Sequence, residues 1–189
     1  MNVRAPSIVL FLIDDLGWRD VACCGSEFYE TPHLDALARA DMRFTDAYAS
    51  CPVCSPTRAS IMTGKSPARV GITQFISGRA QGRLLDVPYL DHLPREEFSI
   101  ARALKRSGYA TWHVGKWHLG GEPYLPQDHG FDVNIGDCDW GMPFRSYFSP
   151  WHIPGMPDGV AGEYLTDHLT DKAIELIRTR QDRPFFLNL

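Results

Sequence analysis

Short apolar runs alternate along the chain with stretches whose apolar residues recur every three or four positions, and this alternation predicts an α/β fold. Ser7 to Ile13 is an unbroken β-branched and apolar run, the pattern of a strand covered on both faces of a sheet. Thr31-Pro32 predicts a helix start, with Thr as N-cap, Pro in the first turn, and Leu34, Leu37 and Ala38 on one face. A strand is expected over Met42 to Tyr48. Pro56 opens a second helix that carries Ala59, Ile61 and Met62 and closes at Gly64, so that Cys54 lies just before it. After an irregular stretch from Gly71 to Pro94, Ile100, Ala103 and Leu104 mark a helix over about Glu96 to Ser107, with Gly108 beyond its end. Tyr109 to Val114 reads as the next strand, and Gly120 to Gly162 as a long loop, rich in Gly, Pro and aromatics, that covers or shapes a site. Leu165, Leu169, Ala173, Leu176 and Ile177 predict a helix over Glu163 to Thr179, and Pro184 to Leu189 a strand. With no repeat and no linker, 1–189 reads as one α/β unit with largely parallel strands. Its last strand reads as unfinished, so a truncated N-terminal part of a larger domain is expected.

Composition narrows the partners. Nineteen Lys and Arg stand against 23 Asp and Glu, a net charge of −4, and the basic residues are scattered, which leaves no electrostatic footprint for nucleic acid. No apolar run approaches the ~20 residues of a membrane span. The first apolar run is met at once by Asp14 and Asp15, so it reads as a strand and not a signal peptide. The expected compartment is cytoplasmic, or exported if a leader was removed. Five cysteines, Cys23, Cys24, Cys51, Cys54 and Cys138, are an odd number in a chain too large to depend on disulfides.

The chemistry begins at Cys51 to Gly64. Cys51 and Cys54 have the spacing of a redox pair or half a zinc site, but no second pair at zinc-finger spacing accompanies them. A cysteine phosphatase would need an Arg six positions after the thiolate, where Thr57 and Ser60 stand. Gly64-Lys65-Ser66 matches only the end of a phosphate-binding P-loop, because Ala59 occupies the place of the required Gly; Lys65 reads as a solvated charge. Two further groups look chemical in their own right. Lys116 and His118 follow the Tyr109 strand, and a cation and a proton donor or acceptor at a strand end suit a dianionic ester. Asp14 and Asp15 end the first strand, where adjacent carboxylates repel unless a hard divalent cation sits between them. His113 lies inside a strand and reads as structural.

Cys54, Pro56 and Arg58 make a Cys-x-Pro-x-Arg pattern that resembles the sulfatase signature, and Gly115-Lys116-Trp117-His118 resembles that family's second motif, Gly-Lys-x-His. Asp14, Asp15 and Gly17 resemble its opening Asp-Asp-x-Gly, with softer matches at Thr31 to Asp35, His129 to Asp132 and Pro184 to Leu187. The resemblance covers nearly the whole chain in order. It implies an alkaline-phosphatase-like domain with helices on both faces of the sheet, acting as a sulfuric ester hydrolase. It also implies that Cys54 is oxidised by a maturase to formylglycine, whose hydrate attacks sulfur, with Arg58 and Lys116 stabilising charge and His118 moving a proton. Asp14, Asp15 and the modified Cys54 would hold Ca²⁺, with Mg²⁺ second. The family supplies further metal and sulfate ligands from beyond Leu189, so 1–189 alone is expected to bind the ion poorly. The substrate is a small-molecule or saccharide sulfate ester, and Trp140, Trp151 and His152 read equally as stacking on it or as packing residues. A phosphonate or phosphate monoester hydrolase, or a non-catalytic sulfatase-like module, are the alternatives.

Overall fold

In the computed structural model, which describes residues 5–78, 82–136, 139–179 and 182–189, two compact units appear: Met1–Leu12 with Ser50–Leu189, and Ile13–Ala49. The larger unit is built on Ile8–Leu10 (β1), Ala110–Val114 (β2), Val133–Ile135 (β3) and Phe185–Asn188 (β4). These pair in parallel in the order β1-β4-β2-β3, with Ile8 opposite Phe186, Trp112 opposite both Leu187 and Val133, and His113 opposite Asn188.

Because successive side chains of a strand point to opposite faces, the sheet has two apolar surfaces. One carries Ala110, Trp112, Val114, Phe185 and Leu187 against Leu169, Ala173 and Leu176 of helix Leu165–Arg178 (α5). The other carries Phe186 against Ala59 and Met62 of helix Cys54–Thr63 (α2), Val70 of Pro67–Val70 (α3) and Ala101 of Ile100–Arg106 (α4). Met62, Phe131 and Phe186 are at most 2% exposed, and each burial contributes roughly 1.5 to 3 kcal/mol. Helices therefore cover both faces of a parallel sheet, as expected.

Several expectations are corrected. The first run is not a doubly covered strand: among the described residues β1 lies at the sheet's edge with β4 as its one neighbour, and Ile8 and Val9 are 37% and 41% exposed. Met42 to Tyr48 forms no strand, and Met42, Phe44 and Tyr48 are exposed. A strand needs a neighbour for its N–H and C=O groups, and the described residues of Ile13–Ala49 supply none. The loop expected at Gly120 to Gly162 contains β3, whose three residues are too few to show periodicity. Helix α4 starts at Ile100 because the Ser99 side chain accepts from the Arg102 N–H and caps it there. Cys54 does not precede α2 but is its first residue, and Gly64 ends that helix at φ 68°. Lys65 is not simply solvated: its Nζ lies 2.6 Å from Glu97 Oε2.

In the smaller unit Thr31 precedes helix Pro32–Ala40 (α1), but its hydroxyl caps no helical N–H. It accepts from Ala22 N–H (2.9 Å) and donates to Asp35 Oδ1 (3.1 Å), which also accepts from Cys23 N–H (2.8 Å). The Thr31 to Asp35 motif thus fastens the 3₁₀ turn Ala22–Cys24 onto α1.

Candidate active site

The site is organised by the first turn of α2 and the turn that follows β2. Cys54 and Arg58 are four residues apart on α2, so their side chains share one face of the helix. No side chain caps α2 at Val53. The free N–H groups and dipole of a helix start favour negative charge, and the half-buried Cys54 sits there. Thr57 Oγ1 closes the preceding loop by donating to the Cys51 carbonyl at 2.7 Å.

Two tethers join this turn to Lys116 and His118. Arg58, 6% exposed, donates from Nη1 to the Lys116 carbonyl at 2.5 Å. Ser55, fully buried, accepts the Ile76 N–H at 3.0 Å, and the Ile76 carbonyl lies 3.1 Å from His118 Nε2. A carbonyl only accepts, so Nε2 carries a hydrogen. His118 has a backbone φ of 54°, a conformation a residue with a side chain holds only where its surroundings fix it.

Ser55, Ile76 and Gly141 belong to this site although no motif marks them. A Cβ at Gly141 would lie 2.7 Å from His118 Cε1 and 2.9 Å from Nε2. Only a glycine lets the chain cross the ring so closely, and the ring, buried and tied to Ile76, has little freedom to yield. Gly141→Ala is expected to leave the protein folded and to lower turnover about tenfold or more through displacement of His118. Steady-state kinetics beside a melting curve checks this, and unchanged kcat would refute it.

A cleft of about 590 Å³ is lined in part by Ile76, whose carbonyl holds the His118 ring, by Tyr89 and Gly120, and by Asp86, Asp91 and Asp139. Trp151 and His152 take no part in it. Trp151 is fully buried 5.0 Å from the His168 ring, and His152 pairs with Asp158 at 2.9 Å. Trp140 packs edge-on against Phe144.

The softer motif His129 to Asp132 is structural. The His129 carbonyl accepts from Ser99 Oγ, and Asp132 accepts from Thr111 N–H (3.0 Å) and Lys105 Nζ (2.7 Å). Burial works against the Asp132 carboxylate, but Lys105 and Thr111 outweigh it and hold the pKa below the usual range.

Asp14 and Asp15 belong to the Ile13–Ala49 unit. Asp15 has φ 54°, which turns the chain sharply after the first apolar run, and Asp tolerates that conformation better than most residues. Two carboxylates fit a hard cation in kind, since Ca²⁺ takes oxygen ligands. In number they do not complete a shell. Among the described residues no three His, Cys, Asp or Glu form a metal-holding group. Cys23, Cys24, Cys51 and Cys54 are free thiols, and Cys138 lies outside the described residues. No helix among the described residues is long and apolar enough to cross a membrane.

The family model for sulfatases matches residues 6–189. The chain belongs to the sulfatase family. N-acetylgalactosamine-6-sulfatase of Rattus norvegicus is 36% identical over 97% of this chain and 38% of its own length. Arylsulfatase A of Homo sapiens is 33% identical over 97% of this chain and 40% of its own. A solved structure described as in complex with its substrate D-glucosamine-2-N,6-O-disulfate superposes with a TM-score of 0.67 at 28% identity, covering 97% of this chain and 33% of that one. The chain thus spans well under half the length of these sulfatase relatives.

Proposed function

We propose that the protein carrying this chain hydrolyses a sulfate ester, R–O–SO₃⁻ and water giving R–OH and hydrogen sulfate, with 1–189 as the N-terminal part of one catalytic domain. The observation that carries this reading is the double tether from the start of α2 to the turn holding Lys116 and His118. It joins the helix N-terminus and the Arg58 guanidinium to the backbone of Lys116 and the ring of His118, which supports a site for an anionic ester with a poor leaving group.

Cys54 is the residue a maturase would convert to formylglycine, and the hydrate of that aldehyde supplies the nucleophilic hydroxyl. Arg58 shares its helix face and is placed to balance negative charge there. Lys116 binds a sulfate oxygen. His118 acts as the imidazolium, giving the Nδ1 proton to the leaving oxygen while Nε2–H stays on the Ile76 carbonyl. Asp14 and Asp15 are residues of this chain that would hold Ca²⁺, or less favourably Mg²⁺.

The leaving group is read as a saccharide. Asp86, Asp91 and Asp139 line the cleft that reaches Ile76, and carboxylates accept hydrogen bonds from hydroxyls. The names of the relatives point the same way, one as an N-acetylgalactosamine-6-sulfatase and one as bound to a glucosamine disulfate. The test is inorganic sulfate released from a 6-sulfated N-acetylhexosamine, beside an aryl sulfate and an aryl phosphate, by protein whose Cys54 peptide has the mass of the aldehyde or its hydrate. Preferred hydrolysis of the sugar sulfate is expected. Faster phosphate than sulfate hydrolysis would overturn the sulfatase reaction. No turnover by the matured protein would leave a non-catalytic module.

A further inference from the structure

His113 is fully buried in β2, and its ring is held at both ends. Nε2 lies 2.9 Å from the Gly115 carbonyl, and Nδ1 lies 2.8 Å from Asn188 Nδ2, directly across the β2–β4 pairing. The carbonyl only accepts, so Nε2 carries the hydrogen. The amide NH₂ only donates, so Nδ1 carries the lone pair. One neutral tautomer satisfies both contacts. An imidazolium would turn a second N–H toward a donor. Burial pushes the His113 pKa down to about 3, with the Gly115 carbonyl opposing and the Arg58 charge adding to the drop.

The Gly115 carbonyl sits at the root of the catalytic turn. Gly115 leaves β2 at φ 96°, its N–H donating to the Ile135 carbonyl of β3 at 2.8 Å. The next residues are Lys116, whose carbonyl Arg58 holds, and His118, whose ring Ile76 holds. Those two tethers fix the far part of the turn. The His113 contact fixes where it begins.

We propose that His113, oriented by Asn188, is a positioning residue that sets the Gly115 carbonyl and through it the turn presenting Lys116 and His118. The catalytic consequence rests on the sulfatase reading; the geometric one does not. Neither residue needs to touch substrate, because a rotation at Gly115 moves everything after it, and misplacement of a reacting group by about 1 Å costs on the order of 100-fold in rate.

The experiment compares wild type, His113→Leu, His113→Gln and Asn188→Leu in the full-length matured protein. Leucine fills the volume without either contact, and glutamine keeps an N–H for the Gly115 carbonyl. His113→Leu is expected to lower kcat about 10- to 100-fold with KM unchanged and to speed amide hydrogen exchange in the 114–119 peptide. His113→Gln restores most of both. Asn188→Leu moves both in the same direction as His113→Leu, and it decides the matter if His113→Leu does not fold. Wild-type kcat in a folded His113→Leu, or equal impairment by leucine and glutamine, would overturn the inference while leaving the sulfatase reading intact. If the wild type releases no sulfate, it is the sulfatase reading that fails. Hydrogen exchange then decides alone, and unchanged protection in His113→Leu overturns the positioning role.

Discussion

Replacing Cys54 with alanine is expected to abolish sulfate release, by on the order of 10⁵-fold or more in kcat, the scale seen when a nucleophile is removed. Cys54 is the first residue of α2, half-buried at an end that no side chain caps. Alanine suits a helix start and leaves Ser55, Thr57 and Arg58 with their partners, so the variant should melt like the wild type. The loss would then be chemical. Cys51→Ala is the matched control: Cys51 contributes its carbonyl to Thr57, and a side-chain change leaves that bond in place. Activity retained in Cys51→Ala and lost in Cys54→Ala separates the formylglycine reading from a redox pair, which needs both thiols. Sulfate release by Cys54→Ala at the wild-type rate would end the proposed mechanism.

What the sequence made legible is what lies close together along it. Cys54 and Arg58 are one helical turn apart, and Gly115 to His118 are contiguous, so their chemistry is visible as motifs. Apolar runs likewise found β2, bounded by Gly108 and Gly115, and β4, which opens after Pro184. The bonds that assemble the site join residues far apart in the chain. Ile76 meets both Ser55 and His118, Gly141 crosses the His118 ring, and Asn188 pairs with His113 across two strands. No spacing rule reaches them. Trp151 shows what sequence leaves open: an aromatic in a long loop reads equally as a platform for substrate or as packing, and its ring is fully buried against His168 and Leu165, with its Nε1–H going to the Tyr147 carbonyl. The edge position of β1 was hidden for a different reason. Its residues are as apolar as those of β4, and strand order is set by pairing, not by composition.

The second large effect is expected at Arg58. Its guanidinium is almost entirely buried and does two things at once: Nη1 holds the Lys116 carbonyl, and its charge lies on the same helix face as Cys54. Lysine keeps the charge but replaces a planar fork with a single ammonium on a flexible stem, which does not fill both places. Arg58→Lys is expected to lower kcat about 10²- to 10³-fold, the range for losing one preorganised donor at a site of developing charge. Arg58→Met removes the charge as well and should lose more. It also leaves the Lys116 carbonyl without its donor, at a cost of about 1 to 3 kcal/mol of stability. Kinetics on the sulfate ester and a denaturant melt of both variants separate the two contributions. If Arg58→Met is less stable yet keeps wild-type kcat, Arg58 is a strut between α2 and the β2 turn and carries no catalytic charge. If both fall, and lysine recovers stability without turnover, the tether and the catalytic role are separable, and the planar fork is what the chemistry needs.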